Sequence, residues 1–236
     1  MKKYILICIL IFANTKPALA KFPNIIEHTE GDVHDTFAGW PILVIAGGAM
    51  TAAVARAVDL SVQGRFQTRH LGKADDIAKI IGEPYVLDPA ALILFGAGEL
   101  SHNEKISVTG ETLFEALLFT DGVTGALKLG FNRKRPNGGN YSFPSGHAAS
   151  TFAVATSLET LFGPKAGIPA YVAAGLIGYT RLDMNEHYIS DLVFGAALGS
   201  AIGWGTAHFH KSKNPNLFVT PTLGESKGLG IVYNFK

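Results

Sequence analysis

The sequence predicts an all-α fold: a bundle of about six helices with its polar site at one end, plus a short C-terminal β-hairpin. Three observations carry this reading. The apolar stretches are mostly too long for strands and lack strict alternation. Three short polar clusters fall between them, at or near predicted helix ends. The chain has 236 residues, of which 47% are hydrophobic. That is enough for one domain with a full core. A mean hydropathy of +0.23 is apolar for a water-soluble protein and polar for a multi-span membrane protein.

Residues 1–20 read as a cleaved signal peptide. Lys2 and Lys3 form a positive start, residues 4–13 an apolar run, and Ala18-Leu19-Ala20 a small-x-small cleavage site. The run is well short of the ~20 residues a spanning helix needs. The only cysteine, Cys8, lies inside it, so the mature chain is expected to hold no disulfide. Loss of Lys2, Lys3 and Lys16 changes the net charge from +1 to −2. No basic run or basic–aromatic interleaving is present, and nucleic-acid binding is not expected.

Residues 21–35 form a polar lead-in, and 36–210 the helical domain. Residues 37–55 carry no charge, and 84–98 carry one acid, Asp88. Residues 112–129 are amphipathic, with Thr112 and Glu115 at capping-box spacing. Residues 146–162 are rich in Ala and Thr, and Pro164 and Arg181 flank 167–179. Residues 187–207 carry Gly195, Gly199 and Gly203, a small-residue stripe suited to close helix contact. The polar segment 61–83 is expected as a loop or surface helix. In the tail, 211–236, residues 217–222 and 229–235 suggest two strands around a turn.

The clusters carry the chemistry. The first holds Lys128, Arg135 and Pro136; the second is Pro144-Ser145-Gly146-His147; the third holds Thr180, Arg181, His187 and Asp191. A guanidinium fork matches two oxygens of a phosphate-like anion and stays charged. Arg135 and Arg181 suit that task, with Lys128 as a third cation. Ser145 and Gly146 open a helix whose free N–H groups favour an anion. His147 on that first turn is suited to give a proton to a leaving oxygen. His187 and Asp191, four apart, share a helix face, so the carboxylate can fix the imidazole tautomer. Lys128 or Arg181 alone would read as a solvated last-turn cation, and His187 with Asp191 as an ordinary helix-face pair. Arg133 and Lys134 read as surface or rim charge, and Asp183, Asn185 and Glu186 as residues of the pocket mouth. His208 and His210 read as a solvated helix end, with too few convergent groups for a metal.

Together the clusters resemble the three-part signature of the type 2 phosphatidic acid phosphatase superfamily. That family includes lipid phosphate phosphatases, bacterial acid phosphatases and vanadium haloperoxidases. The signature is Lys, six residues, Arg-Pro; Pro-Ser-Gly-His; and Ser-Arg, five residues, His, three residues, Asp. Every position matches except Thr180, which stands for Ser and keeps the hydroxyl. The resemblance implies a phosphatase with catalytic His187 (nucleophile forming a phosphohistidine), His147 (acid) and Asp191 (orienter). It implies phosphate binding by Lys128, Arg135, Ser145, Gly146 and Arg181, and no metal or cofactor. The substrate would be a phosphorylated lipid or a small phosphate ester. The apolar stretches favour a lipid phosphate or pyrophosphate and membrane association, at the periplasm or the periplasmic face of an inner membrane. Alternatives are a soluble periplasmic acid phosphatase, a vanadium-dependent haloperoxidase and an inactive envelope protein.

Overall fold

Proline begins three of the long helices, at Pro41, Pro84 and Pro164, where its missing N–H costs nothing. A computed structural model describes residues 24–37, 39–66, 71–213, 218–222 and 228–232. The expected signal peptide lies outside these. Nine α-helices are described: α1 (Asn24–Phe37), α2 (Trp40–Ala55), α3 (Asp59–Phe66), α4 (Lys73–Ile81), α5 (Pro84–Leu100), α6 (Glu104–Phe131), α7 (Gly146–Phe162), α8 (Pro164–Asp183) and α9 (Ile189–Lys213). The strands β1 (Phe218–Thr222) and β2 (Gly228–Val232) pair antiparallel, Phe218 opposite Val232.

One expectation about a boundary is corrected. Helix α6 starts at Glu104, not Thr112. Asn103 caps it by accepting from the Ile106 N–H, and the Thr112 hydroxyl donates to the Val108 carbonyl in mid-helix. A better cap nine residues upstream overrides the apparent capping box. Of the two alternatives for segment 61–83 the helical one holds: it lies largely in α3 and α4, which are mostly exposed. Helix α4 meets α5 at a 51° bend around Gly82 and Glu83.

Helix α9 is central and packs against α7, α2, α1 and α6. The glycine stripe faces α7: a side chain at Gly199 would strike the Ala149 backbone, and one at Gly203 the Ala153 backbone. Absence of Cβ atoms therefore sets how closely the two helices approach. Phe194, Leu198 and Ile202 on the other side of α9 pack with Ala52, Ile45, Phe119 and Val123. A second cluster joins Ala91, Leu113 and Leu117 with Leu87, Val154 and Leu158.

The polarity of this bundle runs against that of a soluble one. Its fully buried positions are largely Ala, Ser and Thr, including Ala149, Ala153, Ala201, Thr120, Ser150 and Thr206. Its outward positions include Leu43, Met50, Val54, Leu60, Ile93, Leu100 and Leu129, each at least 70% exposed. Apolar surface on this scale needs a covering medium. Two helical stretches, Trp40–Phe66 and Ile189–Ser212, are long and apolar enough to cross a membrane, and the bent α4–α5 pair adds a third if it acts as one span.

Candidate active site

The three clusters converge because each sits where a helix begins or ends. Lys128 is in the last turn of α6, which Asn132 closes in the left-handed conformation. Ser145 caps α7, accepting from the Ala148 N–H. Arg181 is in the last turn of α8, and His187 lies two residues before α9, outside the helix whose face the sequence assigned to it and Asp191. Backbone bonds stitch the loops together: Ser145 N–H donates to the Asp191 carbonyl, Asn137 N–H to Asn185, and Glu186 N–H to Arg181.

Arg181 is 2% exposed, and its Nε finds no hydrogen-bond partner. One terminal nitrogen lies 3.5 Å from the Met184 sulfur and the other 3.8 Å from a Glu186 oxygen. Arg135 ion-pairs with the same Glu186 oxygen, while its Nε donates to the Asn140 carbonyl. One carboxylate oxygen thus bridges the two guanidinium groups expected to grip an anion. Lys128 donates to the Tyr141 and Pro144 carbonyls at 2.8 and 2.7 Å, which fixes its ammonium beside the start of α7. A Cβ at Gly146 would meet Thr124 and Lys128 only at ordinary contact distance.

His187 is buried, its Nδ1 3.8 Å from Asp191 Oδ2 and without a hydrogen-bond partner. Burial, with the Lys128 and Arg135 cations opposing Asp191, pushes its pKa down to about 4. His147 is buried too, with Nε2 3.1 Å from the Lys79 carbonyl and 3.7 Å from Glu83. Burial and the Arg181 cation push its pKa down to about 3. Both rings are therefore neutral at pH 7 in the anion-free site. The α4–α5 bend lies directly over His147, for a Cβ at Gly82 would strike its ring.

Sequence reasoning missed the layer beneath. Arg133 is not rim charge. Its guanidinium donates to Asp191 Oδ1 at 2.5 Å, Asp59 Oδ2 at 2.7 Å and Ser190 Oγ at 2.8 Å, and stacks 4.3 Å from the Tyr188 ring centre. Asp59 in turn accepts from the Ser190 N–H and hydroxyl. Asp191 Oδ2 accepts from Ser142 Oγ at 2.5 Å and the Tyr188 N–H at 2.9 Å. Three donors, from Arg133, Ser142 and the Tyr188 backbone, hold the Asp191 carboxylate in place beside His187. Asp183 and Asn185 are likewise structural here: Asp183 accepts from the Leu71 N–H, and Asn185 from Gln63. The Asn-Arg-Lys-Arg run offered a hint at Arg133, but nothing local marked Asp59.

Fold and site together define a mainly helical protein whose helix ends gather cations and two neutral histidines. Residues 137–215 match the sequence profile of the PAP2 superfamily, the family that the three clusters resemble. Lys128 and Arg135 lie just before the matched region. Over 86 residues the chain is 37% identical to the lipid A 1-phosphatase of Porphyromonas gingivalis, covering 35% of this chain and 19% of that protein. Over 95 residues it is 43% identical to the lipid A 4'-phosphatase of Bacteroides thetaiotaomicron, covering 39% and 42%. The chain thus matches less than half the length of either relative. Among solved structures, the transmembrane PAP2-type phosphatidylglycerolphosphate phosphatase of Bacillus subtilis superimposes with a TM-score of 0.62 at 20% identity, over 73% of this chain and 96% of that one. The Aquifex aeolicus LpxE structure gives 0.52 at 26% identity, over 62% and 92%.

Proposed function

We propose that this chain is an exported, membrane-bound phosphatase that hydrolyses phosphomonoesters or pyrophosphates of lipids through a phosphohistidine at His187. The observation that carries the anion chemistry is Arg181, a sealed guanidinium with an orphaned Nε beside Arg135 and two neutral histidines. A buried guanidinium whose Nε is unsatisfied and whose Glu186 contact is long, at 3.8 Å, is costly unless an anion completes it. Support for a lipid substrate comes from the outward-facing apolar surfaces of α2 and α5, which favour a site reached from the bilayer, and from the relatives named as lipid A phosphatases.

In the proposed reaction, Arg135, Arg181 and Lys128 neutralise the phosphate oxygens, helped by the free N–H groups opening α7. Glu186 leaves the arginines as the phosphate enters. The unprotonated His187 nitrogen attacks phosphorus while the bond to the lipid oxygen breaks, and His147 gives that oxygen a proton. The bound phosphate dianion raises the low pKa of His147, so the acid form is supplied as substrate binds. Water then attacks the phosphohistidine. His147 takes its proton, the N–P bond breaks, and inorganic phosphate leaves with His187 restored. Asp191 stabilises the charge that His187 carries in between.

The test is phosphate release by the purified protein from lipid A, phosphatidylglycerophosphate and a soluble aryl phosphate, with vanadate as inhibitor. Lipid substrates should be turned over fastest, and vanadate should inhibit. Preference for the aryl phosphate would refute the lipid reading. Full turnover by His187→Ala would refute the mechanism.

A further inference from the structure

A second constellation of ionisable groups lies in the bundle far from the anion pocket. It joins Asp32 on α1, Glu115 on α6 and His210 on α9, all buried. His210 is nineteen residues along α9 from Asp191, which places it roughly 28 Å away along the helix. The sequence presents His208 and His210 as one solvated pair, and the fold separates them. His208 pairs with Asp35 at the surface, while His210 Nε2 meets Glu115 Oε2 at 2.6 Å inside.

One ligand atom from each of Asp32, Glu115 and His210 lies within 4.8 Å of the other two. Four ligands around a tetrahedral ion at ~2.0–2.1 Å sit roughly 3.3 Å apart. Opening the 2.6 Å contact and closing the longest one by small side-chain shifts reaches that spacing. Asp32 supplies the independent sign of a missing ligand: the residue is 4% exposed, yet its Oδ1 has no hydrogen-bond partner. A cavity of about 380 Å³, lined by Asp32, Glu115, Leu118 and Phe119, adjoins the cluster and leaves space for a fourth, water ligand. The backbone positions are held closely. A Cβ at Gly31 would strike the Phe209 ring, so α1 seats against α9 one residue from each of the two ligands.

We propose that Asp32, Glu115 and His210 bind a divalent transition-metal ion of the Zn²⁺ class, which staples α1 to α6 and α9. Two carboxylates and a neutral imidazole give a donor set whose charge a dication cancels, and whose nitrogen favours Zn²⁺ over Ca²⁺ or Mg²⁺. The role is structural, for the distance from the anion pocket separates the ion from phosphate chemistry.

The experiment uses the full chain in detergent, without a polyhistidine tag, stripped by chelator and then titrated with ZnCl₂. Saturable uptake of one ion per chain is expected, with a raised thermal midpoint. Asp32→Asn and His210→Gln should each weaken binding at least tenfold. His187→Ala and His208→Ala should bind as the parent does, separating this site from the anion pocket and the surface pair. Should the cluster variants fail to fold, Co²⁺ added to the unaltered protein still reads the site, through visible absorption that one equivalent of Zn²⁺ abolishes. No saturable uptake of either ion by the unaltered protein overturns the proposal and leaves a carboxylate–histidine hydrogen-bond cluster. Binding that survives both cluster substitutions, or is lost with His187 or His208, overturns it equally.

Discussion

Arg133→Met should damage both stability and turnover, because this guanidinium joins two carboxylates that have almost no water to fall back on. Asp59 and Asp191 are 3% and 0% exposed. Breaking a buried ion pair by removing one partner costs about 3–5 kcal/mol. The lower end applies here, since Asp59 keeps two bonds from Ser190, and Asp191 keeps those from Ser142 and Tyr188. For a chain of this size about 3 kcal/mol corresponds to a fall of roughly 6–12 °C in melting temperature. Turnover should fall by about tenfold to a hundredfold, the order that a sub-ångström to ångström misplacement of a reacting group produces. KM should change little, because Arg133 points at Asp191 and not into the anion pocket. Arg133→Lys, which reaches one carboxylate at a time, should lie between. The assay is a melt in detergent beside steady-state phosphate release from one lipid phosphate. Unchanged kcat in a folded Arg133→Met protein would refute the positioning argument, and an unchanged melting temperature would refute the energetic one.

Other consequences can be checked with the same protein. Glu186→Gln removes the carboxylate bridging Arg135 and Arg181, so vanadate and phosphate should inhibit at about two- to tenfold lower concentration, the worth of a partly exposed charge contact; unchanged inhibition constants would show that Glu186 does not compete. Phosphate transferred from a labelled substrate should be trapped on the protein by rapid alkaline quench and be absent from His187→Ala; label of equal amount on that variant would exclude His187 as the acceptor. The folded state holds His187 neutral down to about pH 4, whereas the unfolded chain protonates it near 6.5. The unfolded state therefore binds more protons between these values, and stability should drop as pH falls from about 6.5 toward 4. His187→Asn should flatten that slope, as read from melting temperature against pH. Finally, the protein should stay with membranes through high-salt and carbonate washing; release into the wash would remove the case for spanning helices.

Much of the candidate site could be read from the sequence because its residues are close in sequence. Pro144-Ser145-Gly146-His147 announces a capped helix start, and Arg181, His187 and Asp191 lie within one short stretch. Their convergence follows once all are assigned to helix ends. What was hidden depends on distant partners. Asp59 meets Ser190 across 131 positions, and Glu115 meets His210 across 95. Neither pairing leaves a periodic or motif signal, so nothing in the sequence singled out Asp59, and Glu115 read as a capping partner for Thr112. Helix α6 shows the same limit from the other side. A capping box is a statement about four residues, and Asn103, placed earlier, ends the question.

The inverted polarity of the bundle explains why its site can be built at all. In water, Leu and Ile would fill the interior and hold helices about 8–10 Å apart. Here many of those residues, such as Leu43, Leu60 and Ile93, face outward, and lipid would give them no reason to seek each other. Cohesion then depends on close approach, which Gly199 and Gly203 permit against the α7 backbone, and on hydrogen bonds such as Ser150 to Asp121 and Ser157 to the Gly203 carbonyl. Two helices locked backbone to backbone have little freedom to slide. Ser145 and His147 at the start of α7 are thereby fixed against His187 and Asp191 at the start of α9, and the Ser145 N–H to Asp191 carbonyl bond closes the joint. A single added methyl at Gly199 should separate these ends. Gly199→Ala is therefore expected to lower turnover more than it lowers substrate affinity, although it lies two helical turns along α9 from Asp191. A variant that kept full kcat while losing melting temperature would show that the stripe stabilises the bundle without tuning the site.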